Sequence, residues 1–331
     1  METLHVALLG FGTVGKGVYH TIQVYQNKLQ HIIGKRVKVA CIMIKNLENY
    51  VDFQGDAAIE TDIQAIVENP NIDVVFEAIV GKEPAFTYVK QCIASGKHVI
   101  TANKEMFAHH GRELKKLATK YRVQIGYEAT TAGGIPIIRT IKHLLQVDRI
   151  KKVTAILNGT SNYILTEMRK KGTPFSETLR LAQKLGYAEA DPMNDIGGDD
   201  AFYKLMILSE LIFGKQPNWK TVTRIGIQGI TVDDIEKAQF EGKRICHIAT
   251  VSMEKGTVRA KVEPTAIQEN HPLFSVEGVD NAIHLQTELI GSLTLQGPGA
   301  GSLPTASAML EDFCTLQLTR KAVRGNDDIA L

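Results

Sequence analysis

Short apolar runs alternate with helically spaced apolar positions in the first part of the chain. The run from His5 to Leu9 ends in glycines, and apolar side chains follow at Val14, Val18 and Ile22. Further apolar runs, with helical segments between them, lie at residues 37–44, 74–79, 98–101 and 123–127. Strands that alternate with helices predict a parallel, doubly wound sheet over roughly the first 130 residues.

The pattern changes in the second half of the chain. A strand is predicted at 153–157, helices at 163–169, 176–185 and 200–213, and further strands near 258–262 and 282–285. Elements in this order predict a mixed α+β lobe. The glycine- and proline-rich stretch 296–304 is predicted to be a loop, and the polar tail 320–328 to be frayed or loosely docked.

Composition and charge limit the range of functions. The chain has 331 residues, enough for two domains, and 44% of them are hydrophobic, as in ordinary globular proteins. A formal net charge of +2, with scattered Lys and Arg residues, argues against a nucleic-acid surface. The apolar runs fall short of the roughly 20 residues of a membrane span. Four cysteines without a CxxC pair argue against a zinc site or disulfides, so we expect a cytoplasmic protein that binds small ligands.

A glycine-rich segment separates the first predicted strand from the first predicted helix. Gly10, Gly12 and Gly15 fit the dinucleotide-binding pattern GxGxxG. The first glycine of this pattern permits a tight turn, the second lets the backbone approach a pyrophosphate, and the third lets helix and strand pack closely. The helix that begins at Thr13 and Val14 would direct its N–H groups and positive dipole toward the phosphates.

The end of the second predicted strand bears on the choice between NAD and NADP. An acidic residue at this position would hold the ribose hydroxyl of NAD, but the sequence has Lys45 close to the strand end. A basic residue suits the 2′-phosphate of NADP, whereas a solvent-facing lysine in a loop is the competing interpretation. The cofactor preference therefore stays open.

Aldehyde reduction by a nicotinamide requires a proton donor for the developing alkoxide, so lysines and carboxylates are the candidate residues. Lys104 follows the predicted strand at 98–101, at the sheet edge where open α/β folds bind ligands. A surface lysine at a helix start is the alternative. Asp200 and Lys204 lie four residues apart on a predicted helix, where they would either line a cleft or form a solvated ion pair.

An acidic segment precedes this helix. Its carboxylates are Glu189, Asp191, Asp195, Asp199 and Asp200. They do not have the spacing of an EF-hand, so a clamp for a substrate ammonium group is favoured over a divalent-metal site. A solvated acidic loop is the competing interpretation.

The sequence closely resembles the homoserine dehydrogenase family, from Gly10 to about Ala308. Beyond the glycine pattern, the matching motifs are VITANK (99–104), EATTAGGIP (128–136), ILNGTSNYIL (156–165), AQKLGYAEADP (182–192) and GPGAGSLPTA (297–306). The resemblance implies NAD(P)-dependent interconversion of L-aspartate 4-semialdehyde and L-homoserine, a step in threonine, methionine and isoleucine biosynthesis.

The resemblance also implies a role for individual residues. Lys204, paired with Asp200, becomes the leading proton donor to the alkoxide, and Lys104 becomes an orienting or proton-sharing group that also contacts the cofactor. Glu189, supported by Asp195, would hold the substrate amino group. Two further residues, Thr160 and Tyr187, would lie near the substrate. Gly301, in the last motif, would join the cofactor-binding residues, which are Gly10, Gly12, Thr13, Val14, Gly15, Lys45 and Lys104.

The family further implies a structural monovalent cation, sodium, and a homodimer. The matching cation ligands are Glu128 and the carbonyl groups of Thr131, Gly133 and Ile135. The expected architecture is a Rossmann-like dinucleotide-binding domain, residues 1–136 plus about 304–331, with an inserted α+β substrate-binding and dimerisation domain at 137–303.

The sequence differs from the family pattern at a few positions, and two further properties of related enzymes are not expected here. Gly197 replaces a commonly acidic residue, and Phe202-Tyr203 replace a small residue and a histidine, which leaves a divergent or non-catalytic dinucleotide-binding paralogue as the alternative. Many members have a C-terminal threonine-responsive domain, and such regulation is not expected here. A dehydrogenase that works through a cysteine thioester is disfavoured, because Cys41 and Cys92 lie in a predicted strand and a predicted helix without polar neighbours.

Overall fold

A computed structural model describes residues 2–50 and 53–327, with side chains for 2–48 and 53–319. The chain divides into two compact units, residues 1–130 with 301–331 and residues 131–300. These bounds lie a few residues from the predicted boundaries, and the assignment of the units to cofactor and substrate stays a prediction. Within the described residues, no helix has the length and apolar character needed to cross a lipid bilayer.

The first unit is built on a six-stranded parallel sheet. Its elements are β1 (Thr3–Leu9), α1 (Thr13–Val24), α2 (Gln26–Ile33), β2 (Arg36–Met43), β3 (Ala58–Glu60), α3 (Gln64–Val67), β4 (Ile72–Glu77), α4 (Ala85–Ala94), β5 (His98–Thr101), α5 (Lys104–Lys120) and β6 (Ile125–Gly126). The strand order is β3-β2-β1-β4-β5-β6. All pairings are parallel, which confirms the predicted Rossmann-like sheet.

The order of the strands reverses between β1 and β4. Strands β2 and β3 lie on one side of β1, whereas β4, β5 and β6 continue on the other side. Ligands of open α/β sheets bind at such a switch point, outside the carboxyl ends of the strands. The ends of β1, β4 and β5 therefore mark the place where a ligand of this unit is expected.

The second unit contains a mixed six-stranded sheet with helices. Its elements are α6 (Ile137–Arg139), β7 (Ile150–Ile156), α7 (Gly159–Lys171), α8 (Phe175–Lys184), α9 (Met193–Ile196), α10 (Asp199–Phe213), β8 (Thr223–Arg224), α11 (Val232–Phe240), β9 (Lys243–Glu254), β10 (Thr257–Gln268), β11 (Asp280–Thr287) and β12 (Ser292–Pro298). The strand order is β12-β11-β7-β9-β10-β8, with antiparallel pairing except between β8 and β10. The predicted α+β lobe is confirmed.

Three predictions about local structure in the second half need correction. The prediction missed an entire strand, β9, which pairs with β10 over twelve residues. The predicted loop 296–304 is wrong at both ends, because β12 continues to Pro298 and a helix, α12 (Ser302–Asp327), begins four residues later. The backbone of the tail is helical through Asp327, and Asp328 lies outside the described residues.

Helix α12 belongs to the first unit and packs into its core. Phe313 is fully buried, and its ring centroid lies 5.5 Å from that of Phe76 on β4. The hydrophobic cluster around this contact includes Val18 of α1 and Leu8 of β1. The chain therefore returns to the first unit after the second unit is complete, as an inserted lobe requires.

Candidate active site

The glycine loop, residues 10–15, joins β1 to α1. Gly10 has φ +90, and a Cβ at this position would lie 2.8 Å from the Ala78 carbonyl oxygen. A Cβ on Gly15 would overlap the Gly10 carbonyl. Both positions therefore require glycine, one for its backbone angle and both for close approach. Gly12 precedes the helix, and the space beside its Cα is open.

This open space lies at the N-terminus of α1, whose first residues are Thr13 and Val14. The N–H groups of a first helical turn have no partner within the helix, so such a terminus suits an anion. Gly301 lies beside the same turn: it directly precedes Ser302, whose hydroxyl donates to the Thr13 carbonyl oxygen at 2.9 Å. The structure thus brings together five of the predicted cofactor residues, Gly10, Gly12, Thr13, Val14 and Gly15, with Gly301.

The two predicted cofactor lysines lie at the same edge of the sheet. Lys45 is exposed, two residues after the end of β2. Lys104 is half-buried and is the first residue of α5. The preceding residue, Asn103, caps this helix by accepting a hydrogen bond from the Met106 N–H at 2.9 Å. Lys104 therefore sits at a helix start next to the carboxyl end of β5, as the sequence predicted.

In the second unit, Asn158 joins two of the predicted carboxylates. Its side-chain Nδ2 donates to Asp195 Oδ1 and to Asp200 Oδ2, both at 2.8 Å. Asn158 and Asp200 are 5% and 3% exposed. Since α7, α9 and α10 carry or flank these residues, the amide fixes two acidic side chains from different elements against each other.

Lys204 completes this group, which we call the carboxylate–lysine cluster: Asn158, Asp195, Asp200 and Lys204. Lys204 Nζ donates to Asp200 Oδ2 and to the Leu157 carbonyl oxygen, both at 2.7 Å. The Lys204 residue is 6% exposed. The ion pair is therefore buried, and the interpretation of Asp200 and Lys204 as a solvated surface pair does not fit the structure.

The neighbouring predicted substrate residues are divided between the cluster and the surface. Thr160 Oγ1 lies 2.7 Å from the Tyr187 carbonyl oxygen and 3.1 Å from Asp195 Oδ2. Tyr187 is exposed, with its ring 4.8 Å from that of Tyr163. Glu189 is also exposed. Within the described residues, no hydrogen bond or ion pair connects the Glu189 carboxylate to the cluster.

Several residues of this site were not found from the sequence. Asn158 lay in a recognised motif, and its place as the N-cap of α7, accepting from the Ser161 N–H at 2.8 Å, was the available signal. Asn281 Nδ2 donates at 2.9 Å to the same Leu157 carbonyl oxygen that Lys204 uses. His247 is buried near Asp200, and this burial lowers the pKa of its imidazole. Asn281 lies on β11 and His247 on β9, and both are far from the residues of the cluster in the sequence.

Phe202, one of the departures from the family pattern, packs against an aromatic ring and an arginine. Phe202 is buried, with its ring 5.0 Å from that of Trp219 and 4.8 Å from the Arg224 guanidinium carbon. Arg224 also forms an ion pair with Asp199. Asp191 accepts the Met193 N–H at 3.2 Å. These two acidic residues of the predicted acidic segment thus have structural contacts of their own.

The predicted cation ligands belong to both units. In the first unit Glu128 is 2% exposed, and its N–H donates to Asp312 Oδ2 at 2.9 Å. In the second unit Thr131 and Ile135 are buried, and Gly133 has φ +54. Across the part of the chain that the structure describes, no group of three or more His, Cys, Asp or Glu side chains could hold a metal ion.

The cysteines do not support thiol chemistry. All four, Cys41, Cys92, Cys246 and Cys314, are free and buried. Burial raises the pKa of Cys41 and Cys92 to about 12 and that of Cys246 to about 11. A thiol with such a pKa is protonated near neutral pH and is a poor nucleophile.

Comparisons with known proteins cover both units. The family model "Homoserine dehydrogenase, NAD binding domain" matches residues 10–128, and the model "Homoserine dehydrogenase" matches residues 136–314. The chain is 39% identical to the homoserine dehydrogenase of Bacillus subtilis over 98% of its own length and 76% of that protein. It is 34% identical to an NAD(+)-dependent homoserine dehydrogenase of Pseudomonas canavaninivorans, over 95% of this chain and 96% of that one.

The chain is also similar to solved structures of homoserine dehydrogenases. A homoserine dehydrogenase from Thiobacillus denitrificans superposes with a TM-score of 0.93 at 38% identity, over 97% of this chain and 75% of that one. A hyperthermophilic archaeal homoserine dehydrogenase in complex with NADPH superposes with a TM-score of 0.80 at 28% identity, over 96% and 98%.

Proposed function

We propose, since this chain belongs to the homoserine dehydrogenase family of NAD(P)-dependent oxidoreductases, that the carboxylate–lysine cluster gives and takes the proton of the hydroxyl group when L-aspartate 4-semialdehyde and L-homoserine are interconverted. The observation that supports this role is the buried Lys204, held between Asp200 and the Leu157 carbonyl oxygen. An ammonium in a site with little water can donate a proton to a developing alkoxide, and the carboxylate keeps its side chain in place.

The acidic side chains fit the amino group of the substrate. Asp195 accepts one hydrogen bond from Asn158 and lies 3.1 Å from the Thr160 hydroxyl, so its position is fixed before a ligand binds. A carboxylate held in this way suits an ammonium group. Glu189 would have to approach from its exposed loop, whose residue Tyr187 is linked to Thr160 through its carbonyl oxygen. We assign Asp195 the first contact with the ammonium group and Glu189 the second, the reverse of the order that the resemblance implies.

The glycine loop fits a dinucleotide. Open space beside Gly12, at the N-terminus of α1, leaves room for a pyrophosphate, and the first N–H groups of α1 would hold it. A bound nicotinamide supplies or accepts the hydride. Lys104 would orient the cofactor and substrate from the start of α5, and Gly301 keeps Ser302 close to Thr13.

The test compares Lys204→Met with Lys184→Met, an exposed lysine at the end of α8. We expect Lys204→Met to lower kcat for L-homoserine oxidation by about 10²- to 10⁴-fold, the range for a lost general acid or base. Lys184→Met should match the parent protein. Unchanged binding of NADPH, measured by its fluorescence, shows that the variant is folded. Full activity of Lys204→Met would remove Lys204 from the mechanism.

We further propose that NADP is the preferred cofactor, because exposed Lys45 lies close to the end of β2, where a 2′-phosphate would come. Lys45→Asp should weaken NADPH binding and strengthen NADH binding. Equal effects on both dissociation constants would contradict the proposal.

A sodium ion, a homodimer and a cytoplasmic location complete the proposal. The chemistry of the donor set supports a hard cation, since a buried Glu128 would contribute a carboxylate and Thr131, Gly133 and Ile135 would contribute carbonyl oxygens. Sodium chloride, compared with choline chloride, should raise the unfolding temperature of the parent protein more than that of Glu128→Gln.

Light scattering tests the dimer. Four free, buried cysteines suit the reducing cytoplasm, and cell fractionation tests that location.

A further inference from the structure

Glu77 is a fully buried carboxyl group for which the reaction above has no use. It is the last residue of β4 and is 0% exposed. In the parallel ladders it faces Leu9 of β1 on one side and Thr101 of β5 on the other. It therefore lies at the carboxyl end of the sheet, at the switch point and beside the glycine loop.

Two donors from different segments meet on this carboxyl group. Glu77 Oε1 accepts the Ile79 N–H at 2.7 Å, and Oε2 accepts the Thr101 hydroxyl. Thr101 Oγ1 in turn accepts the Asn103 N–H at 3.0 Å. Every hydrogen bond in this series is donated toward Glu77. The ionised carboxylate can accept from both donors, whereas a protonated carboxyl group would need an acceptor in place of one of them.

Asn103 closes the network on the other side. Its side-chain Nδ2 donates to the carbonyl oxygens of Ile79 and Gly81 at 2.9 and 2.7 Å. Its Oδ1 caps α5, which begins with Lys104. The loop after β4 and the start of the helix carrying Lys104 are thus joined through Glu77, Thr101 and Asn103, which we call the Glu77 network.

The same loop contacts the glycine loop. The Ala78 N–H donates to the Leu9 carbonyl oxygen at 2.8 Å. The Ala78 carbonyl oxygen occupies the place that a side chain on Gly10 would need. A shift of residues 78–81 would therefore change both the turn at Gly10 and the position of Lys104.

We infer that Glu77 is a positioning residue for the dinucleotide, which fixes the loop 78–81 between the glycine loop and the start of the Lys104 helix. The inference rests on the proposed function, since it assumes that the cofactor binds at this sheet edge. Glu77 acts through the backbone of its neighbours and does not itself touch the reacting atoms. Its ionised form holds the loop more firmly than its neutral form.

The groups around Glu77 allow this ionisation to be seen near neutral pH. Burial is the main cause that raises the pKa of Glu77 to about 7, and the hydrogen bonds from Thr101 and Ile79, together with the nearby Asn103 amide, oppose the rise. On α4, the thiol of Cys92 interacts with the Glu77 charge, but its pKa of about 12 keeps it neutral. Lys97, which also acts on Cys92, binds the Ile72 carbonyl oxygen at the opposite end of β4.

The experiment measures the dissociation constants of NADPH and NADH, without substrate, for the parent protein and Glu77→Gln at pH 6 and pH 8. Glutamine has the shape of the protonated acid. We expect the variant-to-parent ratio to be close to one at pH 6 and to rise to about tenfold at pH 8. Taking the ratio at each pH removes ionisations that both proteins share. The exposed Glu68→Gln at the end of α3 is the matched control, with a ratio of one at both pH values.

A constant ratio, or a ratio of one throughout, overturns the inference. A merely structural role would change the unfolding temperature without this pH-dependent change in affinity, so thermal unfolding is recorded beside binding. If Glu77→Gln does not fold, Thr101→Val removes one donor to the carboxylate and should weaken binding at pH 8. Because these readouts need no turnover, failure of homoserine oxidation in the parent protein would be seen separately.

Discussion

The glycine loop and the carboxylate–lysine cluster differ in the chemical groups that form them. The loop uses backbone: a left-handed turn at Gly10, a close contact at Gly15 and the first N–H groups of α1. The cluster uses side chains, and its Asn158 comes from a part of the sequence distant from Asp195, Asp200 and Lys204. A backbone site is specified locally, whereas a buried charged site depends on every partner being present.

Removal of one charge from the cluster should have the largest effect. Asp200→Asn leaves the Lys204 ammonium buried without its carboxylate, which we expect to lower the free energy of unfolding by about 3 to 5 kcal/mol. Trp219 is the only tryptophan of the chain and lies in the second unit, so its fluorescence during denaturation follows this unit.

Two variants sharpen this measurement. Asp199→Asn makes the same change at the adjacent residue, whose ion pair with Arg224 is partly exposed, and should cost less than about 1 kcal/mol. The double variant Asp200→Asn with Lys204→Met removes both charges and should recover part of the loss. Equal destabilisation by the two single variants would show that the buried pair has no special contribution.

Glu77 tests whether the first unit also has a buried charge that opposes folding. Its pKa rises from 4.5 to about 7 in the folded state, so the free energy of unfolding falls as the pH increases through this window. Glu77→Gln removes this loss and should be more stable than the parent protein at pH 8 by up to about 3 kcal/mol. Circular dichroism during denaturation at pH 5 and pH 8 gives the comparison. A difference that does not change with pH would contradict it.

The turn at Gly10 tests the backbone site itself. Gly10→Ala combines a left-handed φ of +90 with a collision against Ala78. Gly96 also has a left-handed φ, +82, but the space beside it is open, so Gly96→Ala shows the cost of the angle alone. We expect Gly10→Ala to be less stable than Gly96→Ala by about 1 to 3 kcal/mol, the usual cost of overpacking. It should also lose NADPH affinity, and similar behaviour of the two variants would contradict the collision.

The same difference, between a site formed by local backbone and one formed by side chains of several elements, explains what the sequence could predict. Strand, turn and helix around Gly10 follow from residues within one short segment, and so do the helix that carries Lys204 and its spacing to Asp200. Asn281 and His247 could not be found, because they reach the cluster from β11 and β9 through sheet pairing. Glu77 was hidden for a related reason: it lies inside the predicted apolar run 74–79, and only the fold brings Thr101 beside it.

His247 offers the smallest effect and the opposite sign to Glu77. Burial lowers its pKa below 6.5 in the folded protein, so stability is present above this value and is lost as the pH falls through it. Nε2 of the ring lies 3.0 Å from the Ile225 carbonyl oxygen, a contact that the amide of His247→Gln can approximate. Tryptophan fluorescence should therefore show the parent protein losing stability relative to His247→Gln between pH 7 and pH 5. Parallel pH profiles would mean that the imidazole becomes charged in place, as the nearby Asp200 carboxylate would favour, and that the second unit tolerates a second buried cation beside Lys204.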